Sequence, residues 1–503
     1  MRTMMVLACA TLAAAAVGDD EWSDFATQVK DKDPDKRCSA INLIDQHKSL
    51  RMVQALFPLL DDPHPRVRYR AMRAIGRANE PAAFEFLVKT GLKSGKPNAR
   101  IHTIEALGWI KDEGTQDAVL AMLEDSDALV RAQVADALAW MRAKKAVDAL
   151  VAAIGKDKAW EGRAAAIEAV GRLDAPRLAD VLDGAVADKA HPVRMEIMRA
   201  APKINADAGL KAFKALIADA DWRVRVQAIE SASEVRHREC VGAIVELFAK
   251  EKGRLRLDCW MALQDLTGKD LGLDVKPWRT WWDANKDSFE PVAKAERKGA
   301  LPDPGGETRA EFFKIPILSH RASFILDLSG SMRDPAPGDD RSKDTKLDVA
   351  KRGMVRTISD FAAEVHFNII CLGCENDGTY RRDQKTWKKR LTPANDAGKR
   401  DAIKYTNSQE ARGWTNIWDG IELALEDADV DTLFLYSDGG ASRGVWTTTG
   451  EIMIMLGRLN RYRKVMIFTV ETPGAKANTE DNIKLLKQLA DETKGTYKLA
   501  ESK

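Results

Sequence analysis

The chain has 503 residues, of which 45% are apolar and 31% are charged, as in an ordinary globular protein of about three domains. This composition excludes bulk disorder. Lysine and arginine exceed aspartate and glutamate by only 78 − 76 = 2, so the net charge gives no support for a protein that binds nucleic acid or another polyanion.

The first 18 residues have the pattern of a secretory signal peptide. Arg2 precedes an apolar stretch over residues 4–17, and an acidic run begins at Asp19. Small residues, Ala16 and Gly18, stand where a signal peptidase needs them for a cut before Asp19. The stretch is shorter than the roughly 20 residues of a membrane-spanning helix. We therefore expect residues 1–18 to be removed and the mature protein to be periplasmic, in the cell envelope or extracellular.

An arginine recurs every 31 or 32 residues in the first half of the chain. Apolar residues stand four and seven positions after each one, as on one face of a helix, and turn-forming residues precede it. Each unit is therefore predicted to be two helices joined by a turn, and such pairs must stack into a solenoid to bury their apolar faces. The arginines are Arg37, Arg68, Arg100, Arg131, Arg163, Arg194, Arg225 and Arg256.

This spacing, with its Asp-x-x-x-Val-Arg and Ala-(Ile/Leu)-Gly wording, resembles the short class of HEAT-like repeats found in phycobilisome lyases, over residues 24–268. The resemblance implies a curved protein-binding scaffold and no lyase activity. We interpret the repeated arginine as a structural rung that links successive turns through aspartate side chains or carbonyl groups. The alternative is a basic stripe for an anionic partner, which interspersed acids such as Asp125 and Asp188 disfavour.

The solenoid is expected to end in a cap. Pro277 and three tryptophans at helical spacing, Trp278, Trp281 and Trp282, favour a helix that seals the last repeat, with aromatic ligand binding as the alternative. We assign residues 19–288 to the solenoid with this capping helix. Residues 289–310, which include a run rich in proline and glycine, are assigned to an interdomain linker.

From about residue 311 short apolar runs of buried-strand type alternate with helical stretches. This alternation predicts an α/β domain over residues 311–503, with a doubly wound parallel sheet that binds ligands at the carboxyl ends of its strands. The expected strands are 322–328, 365–372, 432–436 and 465–470, and the expected helices lie near 347–361, 417–426, 452–460 and 482–492.

Two further features of this half leave alternatives open. A basic run over residues 381–390 falls near the expected antiparallel edge strand, where lysines guard against edge pairing; binding of an anionic polymer or surface is the alternative. Cys371 and Cys374 have the spacing of a redox pair but end a strand-like run. We expect them to serve packing, with a local disulfide or a redox role as alternatives.

Oxygen-bearing side chains gather at the expected strand ends. The first strand runs into Asp327, Ser329 and Ser331, Asp438 follows a later strand, and Thr415 opens a helix. Two carboxylates and three hydroxyls are the hard donors that Mg²⁺ prefers, so we predict a Mg²⁺ site, with Mn²⁺ or Ca²⁺ as alternatives. Because hydroxyls are neutral, a cation held there is expected to keep net positive charge, to stay short of a ligand and to accept a carboxylate from outside.

These motifs resemble the metal-ion-dependent adhesion site of von Willebrand factor type A domains, and the resemblance covers residues 311–503. It implies that Ser329, Ser331 and Thr415 ligate the metal through their hydroxyls and that Asp327 and Asp438 bind it directly or through water. Trp414 departs from the family pattern, which commonly has a small residue there, and is expected to narrow or shape the ligand pocket. The alternative is a degenerate domain of this type that binds no metal.

We found no catalytic motif in the sequence. The run from Gly440 to Gly444 matches a nucleophile elbow, but no histidine follows it, because the last one is His366. Our hypothesis is an exported, non-enzymatic adhesion or scaffold protein that binds an acidic side chain of a protein partner, with no nucleic acid and no membrane span in the mature chain. The alternative is an envelope or secretory-pathway assembly factor that delivers a substrate to a separate enzyme or machine.

The signal-peptide assignment makes a direct prediction. Protein purified from its native source should begin near Asp19, because the cut follows the small residue Gly18. N-terminal sequencing measures this, and retention of Met1 or Arg2 would contradict the assignment.

Overall fold

Helices dominate the first part of the chain. The computed structural model describes residues 20–293, 308–336, 344–373, 385–472 and 480–500, without the side chains of 480–482. The signal-peptide prediction therefore lies outside the described residues. The helices of the first part are α1 (20–28), α2 (Pro34–Ile44), α3 (Leu50–Leu56), α4 (Pro65–Ile75), α5 (Pro81–Phe86), α6 (Pro97–Ile110), α7 (Gln116–Ala121), α8 (Ala128–Trp140), α9 (Val147–Lys156), α10 (Trp160–Leu173), α11 (Leu182–Val186), α12 (His191–Ile204), α13 (Ala206–Leu216), α14 (Trp222–Val235), α15 (Arg238–Lys250), α16 (Arg254–Thr267) and α17 (Val275–Asn285).

The chain divides into two compact units, Met1–Ala212 and Phe213–Lys503. This division falls inside α13, whereas the change from helical repeats to α/β structure comes between α17 and residue 311. The second unit therefore contains the last repeats together with the α/β domain. Among the described residues, no helix is long and apolar enough to cross a membrane.

The predicted helical face forms the core of the solenoid. The residues four and seven positions after each repeated arginine are all at most 2% exposed. The helices also approach closely, because a Cβ atom on Gly108 of α6 would lie 3.0 Å from the Cα of Ala137 in α8. The buried positions are Ile41, Met72, Ile104, Ala135, Ile167, Met198, Ile229 and Trp260, and Ile44, Ile75, Leu107, Leu138, Val170, Ala201, Ala232 and Leu263.

Four repeated arginines of the first unit form structural rungs. Arg68 donates to the carbonyls of Asp62 and Pro63, but Lys93 stands at the position of the aspartate. Arg131 donates from Nε and Nη2 to both carboxylate oxygens of Asp157, at 2.8 and 2.6 Å. Its Nη1 donates to the carbonyl of Asp125 at 2.8 Å, and Asp157 Oδ1 accepts from the Ala159 backbone N–H at 2.9 Å. Each rung thus ties the turn before one helix to the turn of the next repeat. The same paired contact joins Arg37 to Asp62, Arg100 to Asp125 and Arg163 to Asp188.

These rungs are largely shielded from water, with side chains at most 18% exposed. Burial alone would raise the pKa of Asp157, but the hydrogen bonds from Arg131 and the Ala159 N–H, together with the charges of Arg131 and Arg163, outweigh burial and hold that pKa below its ordinary value. The pKa values of Asp125 and Asp188 are lowered in the same way, so these three carboxylates are charged at neutral pH. Because the arginines are committed to them, the predicted structural interpretation is favoured over a basic stripe.

The rung changes in the second unit. Arg225 pairs with Glu251 instead of an aspartate, at 2.7 Å. Arg256, in the last repeat, donates to the carbonyls of Phe248 and Leu273, and its guanidinium lies 4.7 Å from the Phe248 ring centroid. The last repeat has no following repeat to pair with, so its arginine holds the chain that leads into the cap.

Helix α17 caps the last repeat as the tryptophan spacing predicts. Trp278 is fully buried and donates from Nε1 to the carbonyl of Gly272 at 2.8 Å. Trp282 lies against Gly242 of α15, where a Cβ atom would come within 2.9 Å of the indole nitrogen. Trp281 and Trp282 both make edge contacts with Phe289. The cap is therefore an aromatic cluster that packs onto α15.

A parallel sheet organises the rest of the chain. The strands are β1 (Glu311–Phe312), β2 (Ile315–Pro316), β3 (Arg321–Asp327), β4 (His366–Leu372), β5 (Lys385–Thr386), β6 (Thr392–Pro393), β7 (Thr432–Ser437), β8 (Met466–Glu471) and β9 (Tyr497–Leu499), and the helices are α18 (Lys346–Asp360), α19 (Asp396–Asn407), α20 (Ile417–Ala424), α21 (Thr449–Asn460) and α22 (Glu480–Glu492). The order of the sheet is β5-β4-β3-β7-β8-β9, with β6 also pairing with β4. Nearly every residue of β3, β4, β7 and β8 is buried, so helices cover both faces, as the doubly wound prediction requires.

The four predicted strands and four predicted helices all form, within three residues at each end. The hairpin β1–β2, strand β9 and helix α19 were not predicted. The edge position of the basic run is observed for Lys385, in the antiparallel strand β5, while residues 381–384 and Cys374 lie outside the described residues.

Within the second unit, the last repeats contact the edge of the sheet where the strands begin. Arg254, only 4% exposed, donates to the carbonyls of Asp431 and Lys464, which precede β7 and β8. Glu230 of α14 pairs with Lys464 and Lys494. Burial opposes its charge, but the two lysines outweigh burial and keep the pKa of Glu230 below its ordinary value. Repeats and sheet are thus joined by charged groups.

The rungs predict that breaking a buried ion pair lowers the free energy of unfolding more than breaking an exposed one. Arg131→Met should lower the free energy of unfolding by about 2–4 kcal/mol, because it leaves Asp157 charged and without its partner in a shielded site. Lys145→Met is the matched control. It removes a pair with Asp117 whose side chains are 45% and 79% exposed, and should cost less than about 1 kcal/mol.

Urea unfolding followed by far-ultraviolet circular dichroism measures both changes in the full-length chain. Equal losses for the two variants would contradict the structural role of the rung.

Candidate functional site

The predicted site lies where the order of the sheet reverses. Strand β3 pairs with β4 on one side and with β7 on the other, so a crevice opens between the carboxyl ends of β3 and β7. Asp327 ends β3, and Asp438 follows directly after β7. The two predicted aspartates are therefore brought to adjacent strand ends at the position where ligands bind in such sheets.

Asp327 is fully buried and fixed by two hydrogen bonds. Its Oδ1 accepts from the backbone N–H of Ser329 at 2.8 Å, and its Oδ2 accepts from the hydroxyl of Ser437 at 2.5 Å. Burial raises the pKa of Asp327 to about 6, and the nearby negative charge of Asp438 adds to the shift. The crevice thus holds two carboxylates whose charges oppose one another.

The two predicted serine ligands lie together beside this pair. Ser329 is buried and Ser331 is exposed, and their hydroxyl oxygens are 3.0 Å apart. Residues Gly330–Arg333 form a single 3₁₀ turn, which returns the chain so that both hydroxyls lie on the same side. The remaining part of this loop, residues 337–343, lies outside the described residues.

Backbone contacts hold the loop of Thr415 against the serine loop. The N–H of Gly330 donates to the carbonyl of Gly413 at 2.9 Å, and the N–H of Arg412 donates to the carbonyl of Leu328. Thr415 itself is only 6% exposed, and its carbonyl accepts from the N–H groups of Ser442 and Arg443, at 3.0 and 3.1 Å. The loop therefore bridges the β3 end and the segment after β7.

Two polar residues that the sequence analysis did not single out anchor this loop. Asn416 caps α20 by accepting from the N–H of Asp419, and its amide donates to the Asp419 carboxylate at 2.9 Å. Asp419 Oδ1 in turn accepts from the N–H of Val445 at 3.1 Å. Gly444 has a φ of +117°, and a Cβ atom there would collide with the Asn416 side chain. The helix start and the 442–445 segment are thus locked together.

The side chain of Trp414 is not buried in the crevice. Its side chain is exposed, at 43%, and the Arg443 guanidinium lies over its ring at 5.3 Å from the centroid. The stacked pair stands at the rim beside Thr415. This arrangement places a flat cationic and aromatic surface next to the crevice, where it can contact an approaching ligand.

A lysine absent from the predicted set reaches into the site. The ammonium group of Lys346, the first residue of α18, donates to Asp438 Oδ2 at 3.0 Å, and its side chain is only 3% exposed. Ser437 was missed as well. The sequence signal for both residues was weak. Ser437 stands next to the predicted ligand Asp438. Lys346 follows the helix-capping residue Thr345 and is separated from the predicted serine ligands by a long loop.

Comparisons with known proteins give one family match and several distant relatives. Residues 23–91, 88–171 and 117–201 match the family of HEAT repeats. The chain is 25% identical over 142 residues to inter-alpha-trypsin inhibitor heavy chain H3 of Homo sapiens, and 25% identical over 115 residues to inter alpha-trypsin inhibitor, heavy chain 4 of Mus musculus. These alignments cover 26% and 23% of this chain, and the chain spans only 14% and 10% of the lengths of those relatives.

Solved structures align with parts of the chain at low TM-scores. A von Willebrand factor type A protein from Catenulispora acidiphila aligns with a TM-score of 0.28 and 18% identity, over 37% of this chain and 40% of that one. Kap121p bound to Nup53p aligns with a TM-score of 0.38 and 12% identity, over 49% of this chain and 33% of that one.

The CpcE and CpcF complex of phycocyanin lyase from Nostoc sp. PCC7120 gives a TM-score of 0.27 and 18% identity, over 44% of this chain and 93% of that one. The repeat periodicity, the arginine rungs and the order of the parallel sheet define the architecture directly. The chain is a HEAT-repeat solenoid followed by an α/β domain of the von Willebrand factor type A fold.

Proposed function

We propose that the α/β domain holds Mg²⁺ through Asp327, Ser329, Ser331, Thr415 and Asp438 and uses it to bind an acidic side chain of a protein partner. Mn²⁺ and Ca²⁺ are the alternative ions. The solenoid offers a second protein-binding surface, and the chain acts as an exported, non-enzymatic adhesion or scaffold protein.

The observation that chiefly supports the proposal is the burial of the Asp327 carboxyl group beside a second carboxylate. A carboxyl group that is fully buried beside a second carboxylate is costly to charge, as its raised pKa of about 6 reflects. A cation removes this cost, and the neighbouring serine hydroxyls add neutral oxygen donors of the kind that Mg²⁺ accepts. The donor set therefore fits a hard divalent ion.

Different residues orient the carboxylate, position the loops and contact the partner in such a site. Ser437 and the Ser329 N–H orient Asp327, while the backbone contacts of Thr415 keep its loop close to the serine loop. When bound, the ion would supply positive charge and an open position for an oxygen atom from outside. The rim pair of Trp414 and Arg443 presents donors and a flat apolar face to the remainder of a partner.

The solenoid surface supports a role in protein contact. Trp109 and Leu129 of the first unit expose 38% and 57% of their surface, and Arg73 lies 5.5 Å from the centroid of the Trp109 ring. Tryptophan and arginine are enriched at protein interfaces. The rung arginines, by contrast, are paired with aspartates and largely buried, so they contribute little to the exposed surface of the solenoid.

The metal assignment predicts that Asp327→Ala abolishes Mg²⁺ and Mn²⁺ binding, because it removes the carboxylate at the base of the crevice. Asp327→Asn, which keeps a hydrogen-bond acceptor for the Ser329 N–H, should weaken binding at least about a hundredfold. Isothermal calorimetry of the full chain measures both affinities, and circular dichroism in EDTA checks that the fold is retained.

The control is Asp344→Asn, which removes a carboxylate from the same long loop, where it pairs with Arg352. Its metal affinity should stay within about threefold of the wild type. Unchanged affinity in Asp327→Ala would refute the site.

The role of Thr415 predicts a separation between metal and partner. Thr415→Ala should weaken partner binding more than metal binding, because Asp327, Ser329 and Ser331 still retain the ion while the hydroxyl on the adjoining loop is lost. The backbone contacts of residue 415 do not depend on its side chain, so the loop is kept. Thr415→Ser, which restores the hydroxyl, should recover partner affinity.

The partner is first captured from the native extract in Mg²⁺ and released with EDTA, and its affinity for each variant is then measured in saturating Mg²⁺. If Thr415→Ala left partner affinity untouched, the metal would be structural and the partner would have to bind elsewhere, with the solenoid as the next surface to test.

A further inference from the structure

Lys346 is a buried cation that contacts a predicted metal ligand. Its ammonium group lies 3.0 Å from Asp438 Oδ2 and 3.8 Å from Asp334 Oδ2, and its side chain is 3% exposed. Lysine is almost never buried to this extent unless it is paired. Of the two acids, Asp334 is 60% exposed and Asp438 only 12%, so Asp438 is the shielded partner.

The secondary structure fixes the position of this lysine. Thr345 caps α18 in a reciprocal pair with Asp348: its hydroxyl accepts from the Asp348 N–H, and the Asp348 carboxylate accepts from the Thr345 N–H. The N–H of Lys346 donates to the carbonyl of Asp334 at 3.0 Å. The backbone on both sides is therefore held, and the ammonium group reaches Asp438 from the first turn of a helix.

The lysine changes the charge balance of the site. The carboxylates of Asp327 and Asp438 together neutralise a divalent ion, and the hydroxyl ligands add no charge. Such a site would have no net positive charge left to attract an acidic group, which differs from the expectation drawn from the neutral hydroxyls. Lys346 supplies one further positive charge inside the shielded region, while Arg333 and Asp334 at the rim are exposed, opposite in sign and screened by water.

We propose that Lys346 is the third charged side chain of this site, beside Asp327 and Asp438. Its positive charge lowers the affinity of the site for the metal and raises the affinity of the site for an acidic group of a partner. The inference rests on the proposed function, because it concerns the same metal site. Without metal, the ammonium group partly neutralises the two carboxylates. With metal, it repels the divalent ion and occupies one oxygen of Asp438, but it leaves the loaded site with a net positive charge that a carboxylate neutralises.

The test uses the full chain with Mn²⁺ as the metal probe and acetate as the acidic probe. Lys346→Met removes the charge and keeps an unbranched side chain that is one atom shorter. Lys346→Gln is the substitute if the methionine variant does not fold, and Lys346→Arg retains the charge. Lys351→Met is the matched control, since it removes one positive charge from the same helix at a lysine whose ammonium group donates to the carbonyl of Asn407.

We expect Lys346→Met to bind Mn²⁺ about tenfold or more tightly than the wild type, and to melt at a lower temperature in EDTA, because two carboxylates then lack a cation. Acetate should tighten Mn²⁺ binding in the wild type and in Lys346→Arg but not in Lys346→Met. Lys351→Met should match the wild type in all three measurements.

The outcomes separate this inference from the function on which it rests. A wild-type chain that binds no Mn²⁺ overturns both. A wild-type chain that binds Mn²⁺, with unchanged or weaker affinity in Lys346→Met, overturns only the role of the lysine. An equal effect of acetate on the wild type and Lys346→Met overturns it as well.

Discussion

The paired contact between an arginine and the aspartate of the next turn is the constraint on which the first unit depends. A single helix pair cannot bury its apolar face, so stability comes from stacking, and stacking needs a fixed offset between repeats. The rung sets this offset, because a guanidinium held to two carboxylate oxygens and to a carbonyl six residues earlier allows one geometry only. Where the repeat series ends, at Arg256, the same residue holds the connection to the cap.

In the α/β domain the main constraint is the repulsion between two like charges. The sheet brings Asp327 and Asp438 to neighbouring strand ends for topological reasons, and burial makes that arrangement costly. The fold offsets the cost with directed groups: the Ser437 hydroxyl and the Ser329 N–H on Asp327, and the Lys346 ammonium on Asp438. The site is thus held in shape by the surrounding fold, which is the condition for binding a ligand without large rearrangement.

The sequence predicted what periodicity and strand ends can encode. Repeat phase located two buried core positions in each repeat, four and seven residues after the arginine, and the positions of Asp327 and Asp438 after buried runs placed both acids at one edge of the sheet. Lys346 could not be found in this way, because its reach to Asp438 spans 92 residues and depends on where α18 begins relative to β7. Helix α19 and the β1–β2 hairpin were missed because α19 is a polar surface helix and the hairpin strands are only two residues long. Whether the five predicted ligands bind metal stays a prediction.

The contact of Arg254 with the chain just before β7 and β8 has a mechanical consequence. The last repeats are attached where the parallel strands begin, and the candidate site lies where β3 and β7 end. Tension between a ligand held at the site and the attached repeats would therefore run lengthwise along the strands. Such a pull loads the hydrogen bonds between β3 and β7 in shear, so that they share the force together instead of opening one after another.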